Sequence, residues 1–132
     1  MKVVIIGTGH AGIQAAATLR EEGFEGEIVL ISDESDLPYQ KPPLSKGYLQ
    51  GKQSAEAILF RSENFYISNG IDLKLGVKIS SINPTDKTIK IQDGEIINYS
   101  HLILATGAQN RKLNFENAEI SYLRTFADAN KI

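Results

Sequence analysis

Gly7-Thr8-Gly9-His10-Ala11-Gly12 sets three glycines at the spacing that lets a backbone wrap a pyrophosphate. Gly7 permits a tight turn. Gly9 has no Cβ, so a phosphate can approach the main chain, and Gly12 lets a following helix pack closely on a preceding strand. The amino end of that helix offers unpaired N–H groups and the positive end of its dipole to an anion. Asp33 and Glu34 follow Gly12 by about 20 residues, the distance expected of the acid that holds a ribose. One carboxylate there accepts both ribose hydroxyls and repels a 2′-phosphate. The residues leave open which of the two acids serves, and this unit alone does not separate NAD from FAD.

A second constellation lies just beyond. Leu37 to Lys52 holds Pro38, Pro42 and Pro43, three of the four prolines in the chain. Proline fixes φ, so the segment reads as a stiff wall. Its stretch Leu37 to Leu49 carries two cations, Lys41 and Lys46. The histidines are structural on this reading: His10 sits in the glycine loop and points outward, His101 opens a strand, and neither has a partner at metal-ligand spacing.

The elements that must position these groups can be read from periodicity. Val3 to Ile6 is a β-branched run ended by glycine, a strand buried on both faces. Ile13 to Glu22 is alanine-rich and stops at Gly23, a helix. Glu27 to Ser32 is a second buried strand, which completes a βαβ unit. The proline segment predicts a bend and a short helix from about Leu44. A modest helix follows at Glu63 to Asn69, stopped by Gly70, and a strand at Ile71 to Leu75. Val77, Ile79 and Ile82, then Ile89 and Ile91, flank turns at Pro84 to Lys87 and at Asp93-Gly94, which predicts a three-stranded antiparallel meander. His101 to Ala105 returns as another buried strand. Ala108 to Glu119 is polar and loop-like. Thr125 with Asp128 marks the start of a helix running from Phe126 toward Ile132. A helix that short does not stand alone, so the chain is expected to continue in a longer protein.

Composition narrows the function classes. The 132 residues carry a formal charge of −2, with no general attraction to nucleic acid or to an anionic membrane. No apolar run approaches the roughly 18 residues that span a bilayer. Glycines interrupt the apolar start, which is read as structure and not as a signal peptide. The sequon-like Asn98-Tyr99-Ser100 is set aside as a chance match. The chain has no cysteine, so it holds no disulfide, thiolate metal site or redox dithiol. A reducing, cytoplasmic setting is compatible with this.

Lys41-Pro42-Pro43-Leu44-Ser45-Lys46 resembles the motif of the ferredoxin-reductase-type FAD/NADH flavoproteins, the putidaredoxin reductase and rubredoxin reductase group. Its usual form has arginine where this chain has Lys41, which keeps the charge without the bidentate fork. The resemblance covers the whole chain. Ala11 matches the alanine of the family's glycine loop. Val77, after Gly76, matches the backbone position that holds the adenine, and Ala105-Thr106-Gly107 matches the segment that passes close to FAD. Arg111 falls where the family places an arginine. Tyr122 to Asp128 resembles the connector to an NADH-binding domain.

The implied fold is α/β: a Rossmann-like FAD-binding parallel sheet with helices on its faces and the meander as a third layer. Residues 1–124 would be the amino-terminal part of the FAD-binding domain, and 125–132 the start of the connector. The resemblance implies an oxidoreductase that passes electrons from NADH through FAD to a small iron–sulfur protein, a ferredoxin or rubredoxin. Its cofactor-binding residues would be Gly7, Gly9, Ala11, Gly12, Asp33, Glu34, Lys41, Pro42, Lys46, Val77, Ala105, Thr106, Gly107 and Arg111, with Lys46 beside the flavin ring. Related disulfide reductases carry a dithiol after the second strand; this chain has Pro42-Pro43 there, which excludes a thiol relay through the segment. Two other readings stay open: a non-catalytic nucleotide-binding module, and the flavin part of a nitrite reductase or an apoptosis-inducing-factor-like protein.

Overall fold

A computed structural model describes residues 1–114 and 119–132. The part of the polar 108–119 stretch at 115–118 lies outside the described residues.

The centre is a parallel sheet of β1 (Lys2–Ile6), β2 (Glu27–Ile31), β3 (Ile71–Lys74) and β7 (His101–Leu104), in the order β3-β2-β1-β7. Val4, Ile5 and Leu30 are 0% exposed. Strand pleating explains how one run can be apolar throughout, because successive side chains point to opposite faces. Val3 and Ile5 of β1, with Ile28 and Leu30 of β2, pack on Ile13 and Ala16 of helix α1 (His10–Glu21) and on Tyr66 of α2 (Glu63–Ser68). Val4, Val29 and Ile31 point the other way, onto Ile89, Ile91 and Ile97. Those isoleucines belong to the meander of β4 (Ile79–Asn83), β5 (Thr88–Ile91) and β6 (Ile96–Asn98), paired antiparallel in that order. The two helices therefore share one face and the meander takes the other, which makes it the third layer that the sequence suggested.

Four local expectations are adjusted. Helix α1 begins at His10, not Ile13, because Gly9 is its N-cap and the glycine loop enters the helix directly. The proline segment forms a 3₁₀ turn at Pro42–Ser45 instead of a helix from Leu44; the prolines, which lack N–H groups, occupy its first positions, where none is needed. Strand β7 is not buried throughout, since Leu104 is 62% exposed. It is the sheet's edge, paired to β1 alone among the described residues. Helix α3 spans only Phe126–Ala129, but Thr125 caps it through a reciprocal box with Asp128, as that pair of residues suggested.

Two devices tie the layers together. The Arg20 guanidinium, at the end of α1, donates to the carbonyls of Phe24 (2.5 Å), Gly26 (2.8 Å), Asn69 (2.7 Å) and Gly70 (2.9 Å). It joins the α1–β2 turn to the end of α2. A third apolar cluster, Tyr39, Leu44, Ile58, Phe126 and Ala129, fastens α3 to the proline segment.

Candidate functional site

From β1 the chain moves to β2 and β3 on one side, yet β7 pairs on β1's other side. Loops leaving β1 and β7 therefore diverge at the carboxyl ends of neighbouring strands, the place where such sheets bind ligands. A cleft of about 1260 Å³ opens there. That is above the roughly 300–1,000 Å³ of small-molecule pockets, as a dinucleotide requires.

The glycine loop is built into this corner by close backbone packing. Gly7 donates its N–H to Ile31 O (2.8 Å), and Ala105 donates to Ile6 O (2.8 Å). Gly7 has φ +111°, and a Cβ on it would lie 2.0 Å from the Ala105 carbonyl oxygen. A Cβ on Gly12 would lie 1.9 Å from the Gly7 oxygen. Both positions are closed to any side chain. Gly9 differs: nothing lies within 4 Å of where its Cβ would be. It faces open space at the amino end of α1, which has no side-chain cap and no acid in its first turn. The first N–H groups of a helix have no partner within it, so this end is left to an anion.

Opposite stands the acid loop after β2. Ser32 is buried, and its N–H donates to Lys74 O (2.9 Å), while its carbonyl accepts from Val77 N–H (2.8 Å). Its Oγ accepts from Thr8 Oγ1 (3.0 Å) and from the Glu34 N–H (3.2 Å). The glycine loop and the acid loop are thus pinned by Thr8 and Ser32. The Glu34 carbonyl accepts from Gly76 N–H (2.9 Å), which brings Val77 to the rim.

The two acids have different surroundings. Asp33 is exposed and has no hydrogen bond or ion pair among the described residues. Glu34 is fully engaged: the Tyr39 hydroxyl donates to its Oε2, and Lys41 Nζ sits 2.5 Å from its Oε1. Burial, and then the Glu34 hydrogen bond, hold the Tyr39 phenol well above its ordinary range, so it remains a donor. The Phe126 N–H donates in turn to the Tyr39 oxygen (2.9 Å).

Among the residues selected from sequence, Gly7, Gly9, Ala11, Asp33, Glu34, Lys41, Pro42, Val77, Ala105, Thr106 and Gly107 all line this one cleft. Gly12 is buried beneath it. Lys46 and Arg111 are exposed and outside the lining. Sequence reading had not singled out Thr8, Ser32, Tyr39, Lys78 or Arg124 for the site, although all line it. Arg124 lies across the loop after β7, its Nε donating to Ala108 O (3.1 Å). Asp128 stands nearby, its carboxyl held below the usual range by the N–H groups of Thr125 and then Arg124. Thr8 and Ser32 are short polar residues with no local signal. Tyr39 reads as part of the proline segment and Arg124 as part of the connector until the fold brings residues 39 and 126 together.

The model of the pyridine nucleotide-disulphide oxidoreductases matches residues 1–132, the whole chain. This chain belongs to that family. Among similar members, the rubredoxin–NAD⁺ reductase of Pseudomonas putida is 44% identical over 135 residues, covering 100% of this chain and 35% of that protein. The solved complex of putidaredoxin reductase with putidaredoxin superposes with a TM-score of 0.92 at 38% identity, over 98% of this chain and 32% of the other. A ferredoxin reductase from Rhodopseudomonas palustris gives 0.92 at 41%, over 98% and 33%. The chain therefore spans about a third of these relatives' length. Within the oxidoreductase family it carries no cysteine in its 132 residues, and no helix among the described residues is long and apolar enough to cross a membrane.

Proposed function

We propose that the cleft holds the ADP half of FAD, and that the protein carrying this chain passes electrons from NADH through the flavin to a small iron–sulfur protein, a ferredoxin or rubredoxin. One observation carries the cofactor reading. The only open glycine of the loop, Gly9, faces the uncapped start of α1, across from a carboxylate, Asp33, with no partner among the described residues. The pyrophosphate would rest on the Gly9 backbone and the α1 amino end. Asp33, and not Glu34, would take the ribose hydroxyls, because Glu34 already spends its oxygens on Tyr39 and Lys41. Val77 would meet the adenine, and Ala105, Thr106 and Gly107 would pass beside the nucleotide. Resemblance alone supports Lys46 beside the flavin ring and Arg111 as a cofactor-binding residue.

Bound FAD would supply hydride acceptance and electron delivery; the chain's own residues bind, orient and neutralise it. The electron acceptor is inferred from relatives named for rubredoxin and putidaredoxin. We assign 1–124 to the amino-terminal part of the FAD-binding domain and 125–132 to the start of the connector, and a cytoplasmic setting. In purified full-length protein the reading expects flavin absorbance near about 450 nm and NADH-driven reduction of a ferredoxin or rubredoxin. Protein without flavin would point to a nucleotide-binding module; flavin without reduction of any such acceptor would point to another branch of the family.

A further inference from the structure

Two segments far apart in sequence, residues 34–41 and the start of α3 at Phe126, meet at one hydroxyl. Tyr39 is 4% exposed. Its oxygen gives a hydrogen bond to Glu34, accepts one from Phe126 N–H and lies 3.4 Å from Lys41 Nζ. Its ring carries the Lys41 ammonium 4.9 Å from the centroid and meets the Phe126 ring edge-on at 4.7 Å. Phe126 also meets the Tyr48 ring edge-on at 4.8 Å, and the Tyr48 hydroxyl donates to Asn130 Oδ1 (2.7 Å).

Lys41 lines the cleft on a long, flexible stem. Left alone it would sample many rotamers, and fixing such a side chain costs conformational entropy. Glu34 and the face of the Tyr39 ring together confine it. Glu34 is itself confined by the Tyr39 hydroxyl and by the bond from its own N–H to Ser32. Tyr39 cannot drift, because Phe126 and the capped start of α3 close over it.

We propose that Tyr39 is a positioning residue for the cofactor cleft: through Glu34 it holds the Lys41 cation at the rim, and through Phe126 it locks the 122–128 wall to the acid loop. It does not itself take part in chemistry. The inference rests on the FAD reading, since the cation is positioned for an anionic ligand. A consequence is that Glu34 and Asp33, though adjacent, have separate duties, one holding the lysine and the other facing the ligand.

The test is FAD titration of the full-length protein freed of nucleotide, at low and high salt, in wild type, Tyr39→Phe, Lys41→Gln and the double variant. Tyr39→Phe keeps the ring packing and removes only the hydroxyl. Each single variant should weaken FAD binding about tenfold and flatten its salt dependence, as expected when a charge-assisted contact is lost. The double variant should bind no worse than Lys41→Gln. A purely structural tyrosine would leave the salt dependence intact and add its cost to that of Lys41→Gln; either result overturns the proposal. If Tyr39→Phe fails to fold, Lys41→Gln alone decides: weaker binding with a flatter salt dependence is expected, and binding and salt dependence equal to wild type would show that no rim cation needs holding and would overturn the proposal. Wild type that binds no FAD would remove the cofactor reading and this proposal with it. Wild type that binds while all variants match it would remove this proposal alone.

Discussion

The carbonyl of Ala105 occupies the space that a side chain on Gly7 would need, 2.0 Å from its Cβ. The residue that follows β7 thus dictates glycine in a loop about a hundred residues earlier. Gly7→Ala must both leave φ +111° and displace the Ala105 carbonyl. It should cost roughly 3 kcal/mol or more, read as a fall of the thermal midpoint by circular dichroism. Gly9→Val is the contrast: with open space and φ −75° it should leave the midpoint nearly unchanged and abolish FAD binding. Equal midpoints for the two variants would refute this division.

Asp33→Asn should weaken FAD by about 10- to 100-fold through loss of a charged acceptor, with stability within about 0.5 kcal/mol of wild type, as for an exposed, unpaired side chain. Fluorescence titration with FAD and with ADP should show the same loss for both. A loss seen with FAD only would move Asp33 away from the ribose.

Removing the Arg20 head group strips donors from four backbone carbonyls. Arg20→Met keeps the stem and should destabilise by about 2–4 kcal/mol. Denaturant midpoints decide it; an unchanged midpoint would mean that water replaces the guanidinium without loss.

Tyr66 is buried, and its hydroxyl has no hydrogen-bond partner among the described residues. Tyr66→Phe should therefore be neutral or stabilise by up to about 1 kcal/mol. Burial pushes the phenol up to about 12 from 10.0, with Arg61 opposing. The folded state then keeps its proton where the unfolded chain releases it. Stability from this group is complete below pH 10 and is lost as pH rises from 10 toward 12. Tyr66→Phe should flatten that alkaline decline, and an unaltered slope would place its origin elsewhere.

Local order was legible because it is periodic. The β-branched run at Val3 to Ile6, the glycine after it, the acid beyond the next strand, the meander's alternating isoleucines and the Thr125–Asp128 box each encode their structure within a few residues. They were enough to bring most of the chosen residues to one cleft. The limits of α1, the 3₁₀ turn at Pro42 and the exposure of Leu104 were not legible in this way, since they depend on a cap, on two missing N–H groups and on what lies beside an edge strand.

Sequence by itself therefore determined the βαβ corner, its glycines and the presence of acids at the right distance. Tertiary structure alone decided that β7 lies against β1, that Thr8 meets Ser32, that Glu34 is occupied while Asp33 is open, and that Tyr39 touches Phe126, 87 residues away. The reason is physical: spacing along the chain fixes dihedral pattern and facing, but two distant polar atoms become partners only when packing has already closed the loops between them.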